Sequence, residues 1–205
     1  RKGKFYLMSW GGTMFEYLLP TLLFNEKDNT FLNQTTREIF KIQKELSEIK
    51  SDIKWEPKEK FHITLKFLGD VDEQILKNLT DELKYELKDF GKFDLLYKGL
   101  GCFPNMRLPR VIWIGAEDNE KKLFALNKSI EEKAKSYNFE RESNKFHPHI
   151  TLGRVKGSKG VNDVIKILKE LNHEAINDTA SEVYVMKSIL QKTGSVYEII
   201  DRIII

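Results

Sequence analysis

A chain of 205 residues, 40% of them hydrophobic, is long enough to build a core without help from metals or disulfides. The single cysteine, Cys102, excludes an intramolecular disulfide and a cysteine-built zinc site, so a reducing cytoplasm is the expected compartment. The formal net charge of +3 permits an acidic ligand, and no apolar run reaches the roughly eighteen residues that a membrane span requires.

Apolar periodicity and capping residues predict four helices, and runs rich in β-branched and aromatic residues predict six strands between them. Lys192, Thr193 and Gly194 supply turn chemistry, so we expect the last two strands to form a hairpin. Helices mixed with hairpin-connected strands indicate an α+β fold rather than a parallel sheet. The predicted helices are Thr35 to Ile49, Asp72 to Phe90, Asn119 to Tyr137 and Val161 to Leu171, and the predicted strands are Phe61 to Leu68, Phe93 to Tyr97, Arg110 to Gly115, His149 to Val155, Glu182 to Leu190 and Ser195 to Ile204.

The tetrapeptide His-Ile-Thr-Leu occurs twice, at 62–65 and at 149–152, each time within a predicted strand. Because residues i and i+2 of a strand share a face, His62 lies beside Thr64, and His149 beside Thr151. Each copy is followed by a helix and two strands, which predicts two similar lobes.

Two facing histidines suit displacement at phosphorus, in which a base takes a proton from water and an acid protonates the leaving oxygen. Histidine can hold either role near neutral pH. The hydroxyls of Thr64 and Thr151 can donate to the phosphate oxygens, and Arg154 is the candidate cation. A bulge at Gly153 would be needed to turn Arg154 inward, and a solvated arginine is the alternative interpretation.

Several other residues could contribute to a ligand site. Phe103 could stack on a terminal base or pack in the core. His147 and His149 could chelate zinc, but no third ligand has suitable spacing, so we predict no metal and place His147 at the rim of the site. A basic rim for a phosphate backbone, with solvated charges as the alternative, is predicted from Lys66, Arg107, Arg110, Lys156 and Lys159.

The sequence resembles the two-histidine phosphoesterases, and within them the RNA 2′,3′-cyclic phosphodiesterases once called 2′-5′ RNA ligases. The resemblance covers roughly 31–205. It rests on Phe61-His-Ile-Thr-Leu-Lys-Phe-Leu-Gly69, on Gly101-Cys-Phe-Pro-Asn105 with Arg110-Val-Ile-Trp-Ile-Gly115, and on Phe146-His-Pro-His-Ile-Thr-Leu-Gly-Arg154.

The resemblance implies two pseudo-symmetric lobes whose antiparallel sheets face a central groove, with helices outside. His62 would be the proton donor, His149 the proton acceptor, and Arg154 the family's arginine after the second motif. It implies opening of an RNA 2′,3′-cyclic phosphate to a 2′-phosphomonoester without a cofactor, and some members also join RNA ends through a 2′-5′ bond. We expect a monomer.

The N-terminal segment, 1–31, departs from this pattern, and we separate it from the main domain at 32–205. Ser9-Trp-Gly-Gly-Thr-Met-Phe-Glu-Tyr-Leu-Leu-Pro20 resembles a stretch of the cyclic-glucan-synthase type of carbohydrate enzymes, although no other part of the chain does. It could be an insertion, a misassembled sequence or chance. Lys4 to Met8 or Leu22 to Phe24 could supply the first strand of the main domain.

Two other functions remain open at this stage. The site could act on small cyclic nucleotides or 2′-5′ linkages. Alternatively, the N-terminal segment could distort the lobe and leave an idle module that binds RNA ends.

Overall fold

A computed structural model describes residues 15–23, 31–191 and 194–205. Within these ranges, the chain forms four α-helices and nine β-strands, with one short 3-10 helix at Lys58–Lys60. The helices are α1 (Phe31–Ser47), α2 (Glu73–Leu87), α3 (Lys122–Ser136) and α4 (Val161–Glu170). The strands are β1 (Phe15–Leu23), β2 (Ile53–Trp55), β3 (His62–Gly69), β4 (Phe93–Phe103), β5 (Val111–Glu117), β6 (His149–Val155), β7 (Ile176–Ala180), β8 (Glu182–Gln191) and β9 (Gly194–Ile204).

The strands form one sheet in the order β7-β4-β5-β6-β3-β1-β8-β9, with β2 paired to β6, and every pairing is antiparallel. Four strands of this order lie on each side of the point where β3 pairs with β6 through Ile63 and Ile150, and β2 adds a fifth strand to the β6 half. The α+β fold with antiparallel sheets is confirmed, and the two halves are joined in one continuous sheet that curls as a half-barrel.

Helix α2 illustrates how the helices attach to the sheet. The side chain of Asp72 accepts hydrogen bonds from the backbone N–H groups of Gln74 and Ile75, which caps the helix as its sequence predicts. Its leucines at helical spacing are all buried in the main core, so one face of the helix packs inward. These buried leucines are Leu76, Leu79, Leu83 and Leu87.

Strand β1 lies inside the atypical N-terminal segment. It pairs with β3 on one side and β8 on the other, so the segment supplies a central strand. The register shifts between Leu18 and Thr21, around Pro20, which has no backbone N–H to donate to a ladder. The predicted strand at Lys4 to Met8 and the predicted turn at Lys192 and Thr193 lie outside the described residues.

No helix among the described residues is long and apolar enough to cross a membrane.

Candidate active site

The two His-Ile-Thr-Leu copies meet at the junction of the two halves of the sheet. Ile63 of β3 is the antiparallel partner of Ile150 of β6, and both side chains are fully buried. In this register His62 neighbours Thr151, and His149 neighbours Thr64. The four polar side chains therefore share the face opposite to the buried isoleucines, related by a local two-fold axis, and all four line one cavity of about 850 Å³.

His62 is oriented from the main chain and from a neighbouring aromatic ring. Its Nδ1 lies 2.7 Å from the carbonyl oxygen of Lys60, which can only accept, so Nδ1 carries the proton and Nε2 is the free ring nitrogen. The ring of Tyr197 meets the imidazole edge-on at 5.3 Å between centroids. Burial lowers the pKa of His62, although the Lys60 carbonyl and the Glu56 carboxylate act in the opposite direction.

His149 has the same arrangement on β6. Its Nδ1 lies 2.7 Å from the carbonyl oxygen of His147, so Nε2 is again the free nitrogen. Phe103 packs edge-on against the His149 ring at 4.9 Å between centroids. Burial also lowers the pKa of His149. The hydrogen bond to the His147 carbonyl raises this pKa, and the charge of Arg154 lowers it further. Each imidazole therefore presents one free nitrogen in a form suited to taking a proton.

The two threonines complete the polar surface between the histidines. Thr64 and Thr151 are half-buried and line the cavity. Neither hydroxyl has a hydrogen-bond partner among the residues that the structure describes. Both hydroxyls are consequently available to a bound anion.

Arg154 lines the same cavity, and β6 has the irregularity that this requires. Ile112 pairs with Gly153 and Trp113 with Thr151, so Leu152 is an extra residue in the ladder. The predicted bulge is therefore present, one residue before Gly153. The Arg154 side chain is 46% exposed, and its Nε donates to Oε1 of Glu56 at 2.9 Å.

Lys66 lines the cavity, but it is a buried, paired cation and not a solvated one at a rim. Its role in substrate binding stays a prediction. Its side chain is 1% exposed, and its Nζ lies 3.0 Å from a carboxylate oxygen of Glu131. The same Nζ donates to the carbonyl oxygen of Glu140 at 2.7 Å. The alternation of buried and more exposed residues in β3 breaks after Leu65, so Leu65 and Lys66 are both buried. The charge of Lys66 therefore needs a buried partner.

Phe103 lies in the cavity wall, but its ring is not free-standing. It is half-buried and contacts Trp113, at 5.2 Å between centroids, as well as His149. Trp113 is itself half-buried and touches the exposed His147 at 4.7 Å. Stacking of a base on Phe103 remains a prediction, and the observed contacts show that the ring helps to hold His149.

The cations along the cavity differ from those that the sequence suggests. The predicted rim residues Arg107, Arg110, Lys156 and Lys159 are exposed but do not line the cavity. The described lining instead includes three cations that were not predicted, namely Lys128 on α3 and Arg141 and Lys145 in the loop after it. Their positions depend on packing between α3, this loop and β3. Tyr197 of β9 also lines the cavity and was not predicted.

A metal site finds no support in the described side chains, where no three His, Cys, Asp or Glu residues are grouped to hold an ion. His173 lies away from the cavity, with Nδ1 at 2.9 Å from the carbonyl oxygen of Glu174. Metal independence of the reaction remains a prediction.

Comparison with known proteins gives consistent matches over most of the chain. The family model described as LigT like Phosphoesterase matches twice, at residues 31–113 and 114–197. A protein of Methanocaldococcus jannaschii named RNA 2′,3′-cyclic phosphodiesterase is 37% identical over 166 residues, which cover 80% of this chain and 90% of that protein. One of the same name from Aeropyrum pernix is 33% identical over 141 residues, covering 68% and 79%.

Solved structures match in fold. The structure of TT0787 of Thermus thermophilus aligns with a TM-score of 0.71 at 20% identity, covering 92% of this chain and 97% of that one. LigT of Escherichia coli complexed with 3′-AMP aligns with a TM-score of 0.68 at 18% identity, covering 94% and 98%.

Proposed function

The chain belongs to the LigT-like phosphoesterase family, and on that premise we propose that it is an RNA 2′,3′-cyclic phosphodiesterase. It would hydrolyse a terminal 2′,3′-cyclic phosphate of RNA to a 2′-phosphomonoester. One observation carries the proposal. His62 and His149 lie on paired strands about a local two-fold axis, and each holds its Nδ1 on a carbonyl oxygen and keeps Nε2 free.

In the proposed step, the oxygen of a water molecule bonds to phosphorus while the bond from phosphorus to the 3′ oxygen breaks. Nε2 of His149 takes the proton that the water loses. Nε2 of protonated His62 gives its proton to the departing 3′ oxygen, so a 3′-hydroxyl and a 2′-phosphate remain. A 5′-hydroxyl in place of water would give a 2′-5′ linkage by the same proton transfers.

Arg154 and the two threonines would stabilise the charge that accumulates on the phosphate. Thr64 and Thr151 can each donate a hydroxyl proton to a non-bridging oxygen, since neither is engaged elsewhere in the described structure. Arg154 keeps its terminal guanidinium nitrogens for the phosphate, because the ion pair with Glu56 runs through Nε.

The compartment and assembly are part of the proposal. We propose a monomer as the active form. The free and buried thiol of Cys102 is compatible with the reducing cytoplasm that we propose. The alternative of a module that only binds RNA ends assumed that the N-terminal segment distorts the lobe. The pairing of β1 with strands on both sides gives that assumption no support.

The deciding experiment treats the purified chain with a short RNA that ends in a 2′,3′-cyclic phosphate, in EDTA. We expect the RNA to gain one water and to carry its phosphate at the 2′ position, as mass and phosphatase analysis would report. His62→Ala and His149→Ala should each lower the rate by about 10²- to 10⁴-fold, whereas His173→Ala should not. A His62→Ala variant that keeps the wild-type rate would contradict the proposal.

A further inference from the structure

The cavity continues well beyond the histidine pair, along β3 and toward α3. We name its far side the distal wall and define it by Phe67, Lys128, Arg141 and Lys145, all of which line the cavity. The cavity of about 850 Å³ is large for one cyclic phosphate, since sites of this size commonly enclose a complete drug-sized ligand. The distal wall therefore offers room for more of the substrate than its reacting end.

Phe67 occupies the place in β3 that Arg154 occupies in β6. Each is the fifth residue after the histidine of its strand, and the two strands share the same succession of buried, half-buried and exposed positions up to these residues. Because the strands are antiparallel, Phe67 and Arg154 lie toward opposite ends of the groove. Phe67 is about 13 Å along β3 from the junction at Ile63.

The exposure of Phe67 is unusual for an aromatic residue in a sheet. Its side chain is 54% exposed although it stands between buried neighbours, Lys66 and Leu68. A large ring held at the surface of a cavity presents a face on which a nucleobase can stack.

The charges of the distal wall suit a nucleic-acid backbone. Arg141 and Lys145 are exposed, and neither has an ion-pair partner among the described residues. Lys128 is 76% exposed and lies 3.9 Å from a carboxylate oxygen of Glu132. Cations of this kind contact phosphates without regard to sequence. Acidic side chains also line the cavity, and these are Glu131, which pairs with Lys66, Glu132 and Glu142.

Several contacts hold the distal wall against β3. Asn127 of α3 donates to the carbonyl oxygen of Leu65 at 2.7 Å, and buried Lys66 binds Glu131 of α3 and the carbonyl of Glu140. The loop between α3 and β6 is anchored near its C-terminal end, where Phe146 packs edge-on against Phe124 at 5.4 Å between ring centroids. Arg141 and Lys145 therefore project from a loop that is fixed at both ends.

From these observations we infer that the distal wall binds the nucleotides that precede the cyclic-phosphate end. One base stacks on Phe67, and backbone phosphates contact Arg141 and Lys145. The inference rests on the proposed function and makes it more specific. The preferred substrate is an oligonucleotide, and a cyclic mononucleotide reaches only the histidine end of the cavity.

The test compares kcat/KM for a 2′,3′-cyclic mononucleotide with kcat/KM for a short oligonucleotide that has the same cyclic end. The wild type should prefer the oligonucleotide. Phe67→Ala should lose about tenfold or more on the oligonucleotide, which is the loss expected for one stacked base, and keep its rate on the mononucleotide. Phe67→Leu, which keeps most of the apolar volume, should show the same loss if the ring face is what matters.

Matched variants outside the cavity provide the controls. Phe40→Ala removes an exposed ring from α1, and Arg107→Ala removes an exposed cation, so both should behave as wild type. Arg141→Ala combined with Lys145→Ala should weaken the salt dependence of kcat/KM for the oligonucleotide only.

The outcomes separate the two proposals. Hydrolysis of neither substrate by the folded wild type would refute the proposed function and this inference with it. Equal kcat/KM values of the wild type for both substrates would overturn the inference about the distal wall while leaving the proposed function in place. Equal losses of kcat/KM on both substrates in Phe67→Ala and Phe67→Leu would do the same.

Discussion

His62 and His149 make the same local hydrogen bond, although they stand on different strands. Each Nδ1 donates to the carbonyl oxygen of the residue two positions earlier, so the main chain just before each strand fixes the tautomer of its histidine. A side chain whose orientation is set by its own main chain needs few distant supports. Each copy of the tetrapeptide therefore needs only its own preceding main chain to orient its histidine.

The pH dependence of the reaction follows from the burial of both imidazoles. Burial lowers both histidine pKa values below their ordinary value of about 6.5. The proposed mechanism requires one histidine to be protonated and the other to be neutral, so kcat/KM for the free enzyme should be bell-shaped and centred between the two pKa values. We therefore expect the maximum of kcat/KM below pH ~6.5. A profile still rising above that pH would contradict this expectation.

Glu56 has a separate influence on His62. Its carboxylate raises the pKa of His62, opposing the larger effect of burial. Glu56→Gln should lower that pKa further, so the alkaline limb of the kcat/KM profile should move to lower pH because the proton donor is lost earlier. Glu59→Gln, an exposed carboxylate nearby on the 3-10 helix, should leave the profile unchanged. Equal shifts in both variants would mean that Glu56 has no specific role.

At the scale of elements, a strand prediction holds across the bulge in β6 but ends too early at the register shift in β4. Strand β6 has the predicted bounds, His149–Val155. Strand β4 continues to Phe103, six residues beyond the predicted end at Tyr97. A register shift near Gly99, whose φ is +71°, carries the strand past the expected stop. Strands β2 and β7 were not predicted, and the candidate first strand at Leu22 to Phe24 overlaps β1 only at its last two residues, since long-range pairing defines all three strands.

The link between β3 and α3 can be tested through the pair of Lys66 and Glu131. Lys66→Met would leave the carboxylate of Glu131, only 13% exposed, without its cation, and should lower the free energy of unfolding by about 3–5 kcal/mol. Adding Glu131→Leu should recover most of that loss. Urea unfolding of the wild type, the two single variants and the double variant gives the coupling free energy between Lys66 and Glu131.

The exposed pair of Lys77 and Asp81, on α2, is the matched control for this cycle. Lys77→Met should change the free energy of unfolding by no more than about 0.5 kcal/mol, because solvent screens the pair. A double variant of Lys66 and Glu131 as unstable as Lys66→Met alone would show that the buried pair is not coupled.

At the scale of the whole molecule, the repeated tetrapeptide predicts two related halves, and the resemblance to the two-histidine phosphoesterases implies the groove between them. Neither predicts which charges line that groove. Arg107 and Arg110 lie beside or within the middle motif yet do not line the cavity, whereas Arg141 and Lys145, which precede the second motif, do line it. Their position depends on how α3 and its loop pack on β3, a long-range contact that local pattern does not encode.

Stability of the whole fold should depend on Asp178, a buried carboxylate of β7 that is 4% exposed. Tyr97, fully buried on β4, donates to it at 3.4 Å. Burial raises the pKa of Asp178 to about 6 from 3.8, and only the backbone N–H of Thr179 and the Tyr97 hydroxyl oppose this. Its contribution to stability is present below the unfolded pKa and is lost as pH rises through about 6, in total about 3 kcal/mol.

Asp178→Asn should remove this dependence, because an amide does not ionise. Between about pH 4.5 and about pH 7.5, the free energy of unfolding of the wild type should fall by ~2 kcal/mol relative to that of Asp178→Asn. Asp94→Asn, an exposed aspartate on the paired strand β4, should follow the wild type at every pH. Parallel curves for the wild type and Asp178→Asn would mean that the buried carboxylate ionises as readily in the folded chain as in the unfolded one, and that Tyr97 and Thr179 fully offset its burial.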